Sequence, residues 1–404
     1  MNSTDIFAKL QTSFPVYSQL HDYLASIGVQ ANTKDGDPLV IFRYNRDKAD
    51  LTSPIVRAFR SVVWDSRLNR PVYVAPIKSA PMTSWPNELG NIVVEDFLDG
   101  VMVNVFMDPV SNNWRLATRS RLDADNKFYE HTFASLFNSI WTPAGFALLN
   151  PQFGYSFVVQ HPANRIVVPV TAPSLTCVEI CAINPTTNQV TFMPSLAPLP
   201  SPRRYTATTH QQIQDILNHL NQYEGIRSQG IVIKDLTSGS RWKIRTQIYG
   251  QVRALRGNHS RMEYVWFDNM KKGLLQTYLA FYPEETITAM AALTNWSSIV
   301  AEIYDWYNHV FKMRDVAKDK IPSHFKGVLF DLHGEYIKRL APAKLSLTWA
   351  EHQVVMARQD LKRIVFLSTF KAGSTPPPSA MKTLAAKAAR AVAPTSPVGN
   401  ESMV

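Results

Sequence analysis

The stretch VVEDFLDGVMVNVF, residues 93–106, decides the reading of the fold. Two apolar runs rich in β-branched and aromatic residues flank the pair Asp99-Gly100, the short-range pattern of two strands joined by a tight turn. A β-hairpin is expected here. Working outward, 39–44 reads as a short strand. Residues 55–64 (IVRAFRSVVW) and 71–77 (PVYVAPI) read as a strand pair about the polar turn 65–70, and 78–86 follows as a loop. Beyond the hairpin, 114–118 adds a strand after the turn at 109–113. Residues 157–170, 175–183, 189–192, 230–234 and 241–246 are also strand-like. Helical spacing occurs at 5–24, 127–141 and 208–222.

From 247 onward strand signals fade and helical patterns dominate, at 264–282, 285–312, 329–340 and 348–367. The expected class is therefore α+β: antiparallel sheets with flanking helices over 1–257, then an all-helical domain over 258–370. Residues 371–404 are rich in Ala, Pro, Ser and Lys and poor in large apolar side chains, so a disordered tail is expected there. Its cations Lys371, Lys382, Lys387 and Arg390 face the single acid Glu401.

The 404 residues leave room for two domains, and 45% hydrophobic with 18% charged content describes a soluble globular chain. No apolar run approaches the roughly 18 residues that span a bilayer, and the first residues lack the basic-then-apolar layout of a secretory signal. No membrane partner and a cytoplasmic location are expected. Cys177 and Cys181 alternate with apolar residues in LTCVEIC, which reads as a buried strand rather than a metal or redox pair. No metal ligands are assigned. The net charge of +10 points to a polyanionic partner, with nucleic acid ahead of membrane.

The densest basic stretch is RWKIRTQIYGQVRALRGN, 241–258, carrying Arg241, Lys243, Arg245, Arg253 and Arg256; Arg261 follows before the next acid, Glu263. A strand and then a loop bearing those charges, interleaved with Trp242 and Tyr249, suits phosphate tracking and base stacking.

Taken in order, RAFRSVVWDSRLNRPVYVAPIKSAPM (57–82), FLDG (97–100), LATRSRLD (116–123), FVVQHPANRIVV (157–168), SQGIVIKD (228–235) and the basic stretch resemble the bacteriophage-type single-strand RNA ligases. These are a branch of the covalent nucleotidyltransferases, and the resemblance runs over about 39–282. It implies that Arg60 holds nucleotide phosphates, a task suited to the planar donor fork of a guanidinium. The family lysine after Pro-Met falls at Ser84, with Lys78 near enough to compensate. Residues 97–100 occupy the Lys-x-Asp-Gly motif, whose lysine attacks the α-phosphate of ATP and is adenylylated. Here it reads Phe97-Leu98-Asp99-Gly100, and phenylalanine offers no nucleophile.

The remaining motifs continue this pattern of selective loss. Arg119 or Arg121 would contact phosphate. Pro162, Asn164, Arg165, Ile166 and Val167 match the family block Pro-x-Asn-Arg-Ile-Val, whose preceding glutamate is Val158 here. The metal-side Glu-Gly pair is Gln229-Gly230, without the charge that magnesium favours. Glu224 opens another Glu-Gly but sits five residues out of place. Lys243 and Arg245 fill the closing Lys-x-Lys positions that neutralise the triphosphate, with Tyr249 at a family aromatic. Residues 267–285 have the pattern of the linker helix that follows the family's catalytic domain.

The implied phosphate- or nucleotide-binding set is thus Arg60, Lys78, Asp99, Gly100, Arg119, Gln229, Lys243 and Arg245. The implied RNA-binding set is Arg241, Trp242, Tyr249, Arg253 and Arg256. The function expected is RNA binding by a pseudoenzyme, since nucleophile and carboxylates act as a unit. One alternative is an active ligase using ATP and Mg2+ through a relocated lysine, with Lys78 the best candidate, or acting on pre-adenylylated ends. Another is a structural or assembly protein that reuses the fold. The family's phage and viral associations imply a viral source.

Overall fold

The computed structural model describes residues 5–80 and 89–370. The Ser84 position, most of the 78–86 loop and the 371–404 tail lie outside the described residues. The chain divides into two compact units, Met1–Ala254 and Leu255–Val404. The class is α+β, with antiparallel sheets in the first unit and helices in the second. Among the described residues no helix is long and apolar enough to cross a membrane.

The strands of the first unit begin with β1 (Val29–Asn32), β2 (Leu39–Tyr44), β3 (Val62–Asp65), β4 (Arg70–Val74) and β5 (Ile92–Asp96). Then come β6 (Val101–Met107), β7 (Trp114–Ala117), β8 (Phe153–Gln160), β9 (Ser174–Ile183) and β10 (Val190–Met193). The last are β11 (Arg204–Tyr205), β12 (Gly230–Asp235) and β13 (Arg241–Arg245). They form three antiparallel sheets, ordered β1-β2-β3-β4, β10-β9-β8-β6-β7 and β11-β5-β12-β13.

The hairpin expected at 93–106 is not formed. Its two strands are present, but β5 belongs to the third sheet and β6 to the second. Residues 97–100 carry the chain from one sheet to the other, and long-range bonds hold the crossing. The Phe97 N–H donates to Gly230 O at 2.8 Å, continuing the β5–β12 ladder by one residue. The buried Asp99 carboxylate accepts from the backbone N–H groups of Val167 (2.8 Å) and Val168 (2.9 Å) and from the Tyr249 hydroxyl (2.8 Å). Gly100 lies so close to β8 that a Cβ there would stand 2.4 Å from Val159 O.

Other departures also have local causes. Ser53 caps a short helix, Pro54–Ala58, accepting from the Val56 N–H at 3.5 Å with proline in the first turn. The expected strand 55–64 therefore begins only at Val62, and Arg60 sits in the turn before it. Pro15 lacks an N–H and disfavours helix at Phe14, so 5–24 divides into Ile6–Ser13 and Tyr17–Ser26. The helix expected over 127–141 is confined to Phe133–Asn138, capped by Thr132. β8 ends at Gln160, and Pro162–Asn164 is a 3-10 turn rather than more strand. The loop expected after β13 is a helix, Gln247–Arg256.

Each sheet of the first unit has its own apolar layer. The helices at 6–13 and 17–26 bury Phe7, Leu10, Leu20 and Leu24 with Ile41, Phe42 and Trp64 of the first sheet. Leu136 and Phe137 pack with Val103, Phe157 and Cys177 of the second. The helix His210–His219, closed by a Thr209–Gln212 capping box, buries Ile213 and Leu217 with Val94, Ile231, Ile233 and Trp242 of the third. Cys177 and Cys181 are buried on β9, and burial pushes their thiols up to about 11 and about 12. In the second unit, helices including Thr286–Tyr307, Ser323–Glu335 and Leu361–Thr369 bury Ile303, Phe325, Leu329, Leu332 and Ile364 in one core.

The close approach at Gly100 gives a test. Gly100→Ala drives a methyl into the β8 backbone and is expected to cost about 1–3 kcal/mol. Gly90→Ala, with open space around it, should stay within about 0.5 kcal/mol of the parent. Thermal unfolding midpoints of the two variants decide it, and equal midpoints would contradict the tight crossing.

Candidate phosphate-binding site

The site follows from the period of two in β13. In Arg-Trp-Lys-Ile-Arg, residues 241–245, the cations fall on one face and Trp242 and Ile244 on the other. Trp242 and Ile244 join the apolar layer of the third sheet, so Arg241, Lys243 and Arg245 project together from its far face. Antiparallel register aligns Lys243 with Val232 and Val232 with Glu95, and sets Arg241 beside Lys234. Gly230 pairs with Arg245 and leaves the row beside Phe97 without a side chain. It has φ +130°, and a Cβ there would stand 2.0 Å from Ile244 O, so only glycine fits.

The Phe97 ring lies beneath these cations. Lys243 Nζ is 4.4 Å and the Arg245 guanidinium 5.4 Å from the ring centroid. The negative π-face attracts both without neutralising either. Arg60 closes another side, donating to Pro76 O at 3.2 Å and lying 3.8 Å from Met102 Sδ. Together Arg60, Lys234, Arg241 and Lys243 line a cavity of about 140 Å³ with Phe97 and Val158.

The carboxylates at this cavity are already committed. Glu95 pairs with Lys234 at 2.8 Å and Arg204 at 3.2 Å, while Glu179 pairs with Lys234 at 3.0 Å and Arg241 at 3.6 Å. Asp96 accepts from the Tyr205 hydroxyl at 2.5 Å and pairs with Arg203 at 3.2 Å. Glu224 also goes to Arg203, at 2.8 Å. No carboxylate among the described residues pairs with Arg60 or Lys243. Arg241 is buried, yet its Nε and Nη1 have no hydrogen-bond partner.

Burial and the cations Arg241, Arg60, Arg245 and Lys78 push the Lys243 ammonium down to about 6. Burial first, then Arg241 and Arg119, lowers Arg60 to about 10. A compact anion would relieve both the desolvation and the mutual repulsion.

A magnesium ion does not fit this donor set. Val158 offers no ligand, Glu95 and Glu179 are held by cations, and Gln229 does not line the cavity. Among the described residues no group of three or more His, Cys, Asp or Glu is placed to hold a metal.

The structure brings together Arg60, Gly100, Arg241 and Lys243 from the expected sets, with Arg245 over Phe97 and the Lys78 charge acting on Lys243. Asp99 is a structural anchor. Arg165 donates to Val167 O, and its block supplies the two N–H groups that hold Asp99. Trp242 and Tyr249 correct the expectation of base stacking: Trp242 is enclosed in the core, and Tyr249 is 2% exposed with its hydroxyl on Asp99. Arg256 is likewise buried, donating to His259 O, and Arg253 and Arg256 lie on a helix rather than a loop. Lys234 escaped sequence reasoning, although its alternation with the apolar Ile231 and Ile233 marks it as sharing the cationic face.

No protein-family model matches the sequence, and no curated protein matches it. Among solved structures, an archaeal ATP-dependent RNA ligase aligns over 70% of this chain and 73% of its own, at 12% identity and TM-score 0.41. A protein of Aquifex aeolicus described as an ATP-dependent DNA ligase aligns over 80% of each chain, at 14% identity and TM-score 0.39. Naegleria gruberi RNA ligase aligns over 40% of this chain and 50% of its own, at 12% identity and TM-score 0.28. At TM-scores below 0.5 these likenesses carry no functional inference.

The lowered Lys243 value predicts a pH dependence. Between about 6 and the ordinary 10.5, the unfolded chain holds a proton that the folded chain has released, so this group makes stability rise with pH across that window. Lys243→Met removes the rise. The variant should be more stable than the parent near pH 6, with the advantage shrinking toward pH 10. A pH-independent difference in urea midpoint would contradict a desolvated amine.

Proposed function

We propose that this protein binds RNA through the cationic cleft, on a scaffold resembling the RNA ligases that has given up lysine adenylylation. One observation carries the reading: Arg60, Arg241, Lys243 and Arg245 converge about the Phe97 ring, and Arg60 and Lys243 have no carboxylate partner among the described residues. A like-charged cluster of this kind is completed by an anion from outside. Phosphate suits it, because guanidinium forks and a lysine amine satisfy phosphate oxygens from several directions. Phe97, Val158 and Gln229 stand where nucleotidyl transfer needs a nucleophile and two acids. Binding survives the loss of all three; transfer does not.

A second reading is supported by Lys243 itself. With its amine held near 6, it is mostly unprotonated at neutral pH and lines the cavity, whereas Lys78 does not. It is therefore the better candidate for a relocated nucleophile. The reading as an assembly protein rests on the basic 371–404 segment and predicts that deleting this segment abolishes RNA binding.

Incubation with α-labelled ATP or GTP and magnesium or manganese, followed by denaturing electrophoresis, separates the first two. No covalent band is expected. Single-stranded RNA should bind in a salt-sensitive manner, and Lys243→Glu should weaken it at least about tenfold and flatten the salt dependence. A covalent band that disappears in Lys243→Arg would replace this reading with the second.

A further inference from the structure

We infer a nucleobase-binding pocket in the second unit, between the helices Ser323–Glu335 and Leu361–Thr369, that stacks one unpaired base of an RNA strand on Phe366, Phe370 and His324. The choice of RNA as ligand rests on the reading above. The pocket shares no residue with the cationic cleft.

Helical spacing builds it. On Leu361–Thr369 and the residue that caps it, positions 363, 366, 367 and 370 recur at i, i+3, i+4 and i+7 and share one face. Ser323, His324, Gly327 and Val328 share a face of the other helix in the same way, and the two faces enclose a cavity of about 340 Å³. That volume falls within the roughly 300–1,000 Å³ of small-molecule sites. Val328 and Leu367 are buried and join the core, whereas Phe366 is 51% and Phe370 40% exposed. Gly327 deepens the space, since a Cβ there would meet nothing within 4 Å.

The rings form a platform. His324 is stacked on Phe370, with centroids 4.3 Å apart and 20° between planes, and is backed at 4.0 Å by the buried Phe325. Phe366 lies 5.5 Å from Phe370 and is tilted by 58°, so it stands as a side wall. Two phenyl rings left facing water gain from a flat aromatic ligand that covers them. This is the stacking surface that the enclosed Trp242 and Tyr249 do not provide.

The polar groups select a base over a phosphate. Arg363 is bound through Nη1 to Asp331 and to Gln359 Oε1 (3.0 Å). Asp331 answers its charge, yet the fixed fork keeps Nε and Nη2 as planar donors suited to base carbonyls. Burial lowers the His324 imidazole below its ordinary value, so at neutral pH it offers one donor and one acceptor nitrogen. Ser323 adds a hydroxyl. Directed hydrogen-bonding groups beside aromatic walls suit a neutral heteroaromatic base, whereas the cations of the cleft suit phosphate.

Adenosine probes the pocket without the cleft, because it carries a base and no phosphate. The test is saturation-transfer NMR of the full chain with adenosine, ribose 5-phosphate and toluene, alongside anisotropy of labelled oligo(A) over a salt series. Adenosine base protons should receive saturation. Phe366→Ala should weaken adenosine about tenfold, the scale of one stacked base, and Gly327→Leu, which fills the floor, should abolish its binding. In oligo(A) binding, Phe366→Ala should lower affinity without flattening the salt slope, since no phosphate contact is lost. Adenosine binding that is absent, or equal in the parent and both variants, would overturn the pocket. Toluene bound in place of adenosine, or ribose 5-phosphate displacing it, would overturn the assignment to a base. Adenosine bound only after deletion of 371–404 would give the pocket to that segment instead. Unchanged oligo(A) affinity in Phe366→Ala, with adenosine binding lost, would overturn the RNA strand as ligand. Lys243→Glu tests the cleft in the same oligo(A) assay: weakened binding there leaves the cleft reading standing whatever the pocket does.

Discussion

The buried carboxylate of Asp99 is the anchor on which the geometry of the first unit turns. It binds three partners from two distant segments, Val167 and Val168 on one side and Tyr249 on the other. Hydrogen bonds to an ionised group are worth roughly 1.5–3 kcal/mol each, set against the cost of burying the carboxylate. Because the anchor lies between β5 and β6, it also fixes where Phe97 sits.

Around that point the third sheet separates two environments. Its inner face carries Trp242, Ile244, Ile231 and Ile233, and its outer face carries Arg241, Lys243, Arg245 and Lys234. A single strand with period two is enough to build both. Lys234 is balanced by Glu95 and Glu179. Lys243 is left to give up its proton, and Arg60 rests on a carbonyl and a thioether. The fold tolerates this because the Phe97 ring faces the cations and the cluster adjoins a cavity open to an incoming anion.

Much of this is legible in the chain. The strands at 39–44, 175–183, 230–234 and 241–246 stand out because β-branched and aromatic residues alternate there. The α+β division is visible in the shift to helical spacing after 247. The sheet crossing at 97–100 is not legible, because local pattern cannot tell whether two strands joined by Asp-Gly pair with each other or with partners far along the chain. Pro54 and Ser53 announce a helix start that the β-branched run after them obscures. Trp242 and Tyr249 suggest stacking surfaces since both are interleaved with cations in the 241–256 stretch. The alternation of 241–245 already places Trp242 opposite Lys243, while the Tyr249–Asp99 bond spans a separation that no local pattern reveals.

The most direct measurement is a crystal structure of the full chain soaked with inorganic tripolyphosphate. The account predicts phosphate oxygens within hydrogen-bond distance of Arg60, Arg241 and Lys243, above the Phe97 ring. Tripolyphosphate bound elsewhere, with the cleft holding only water, would contradict it.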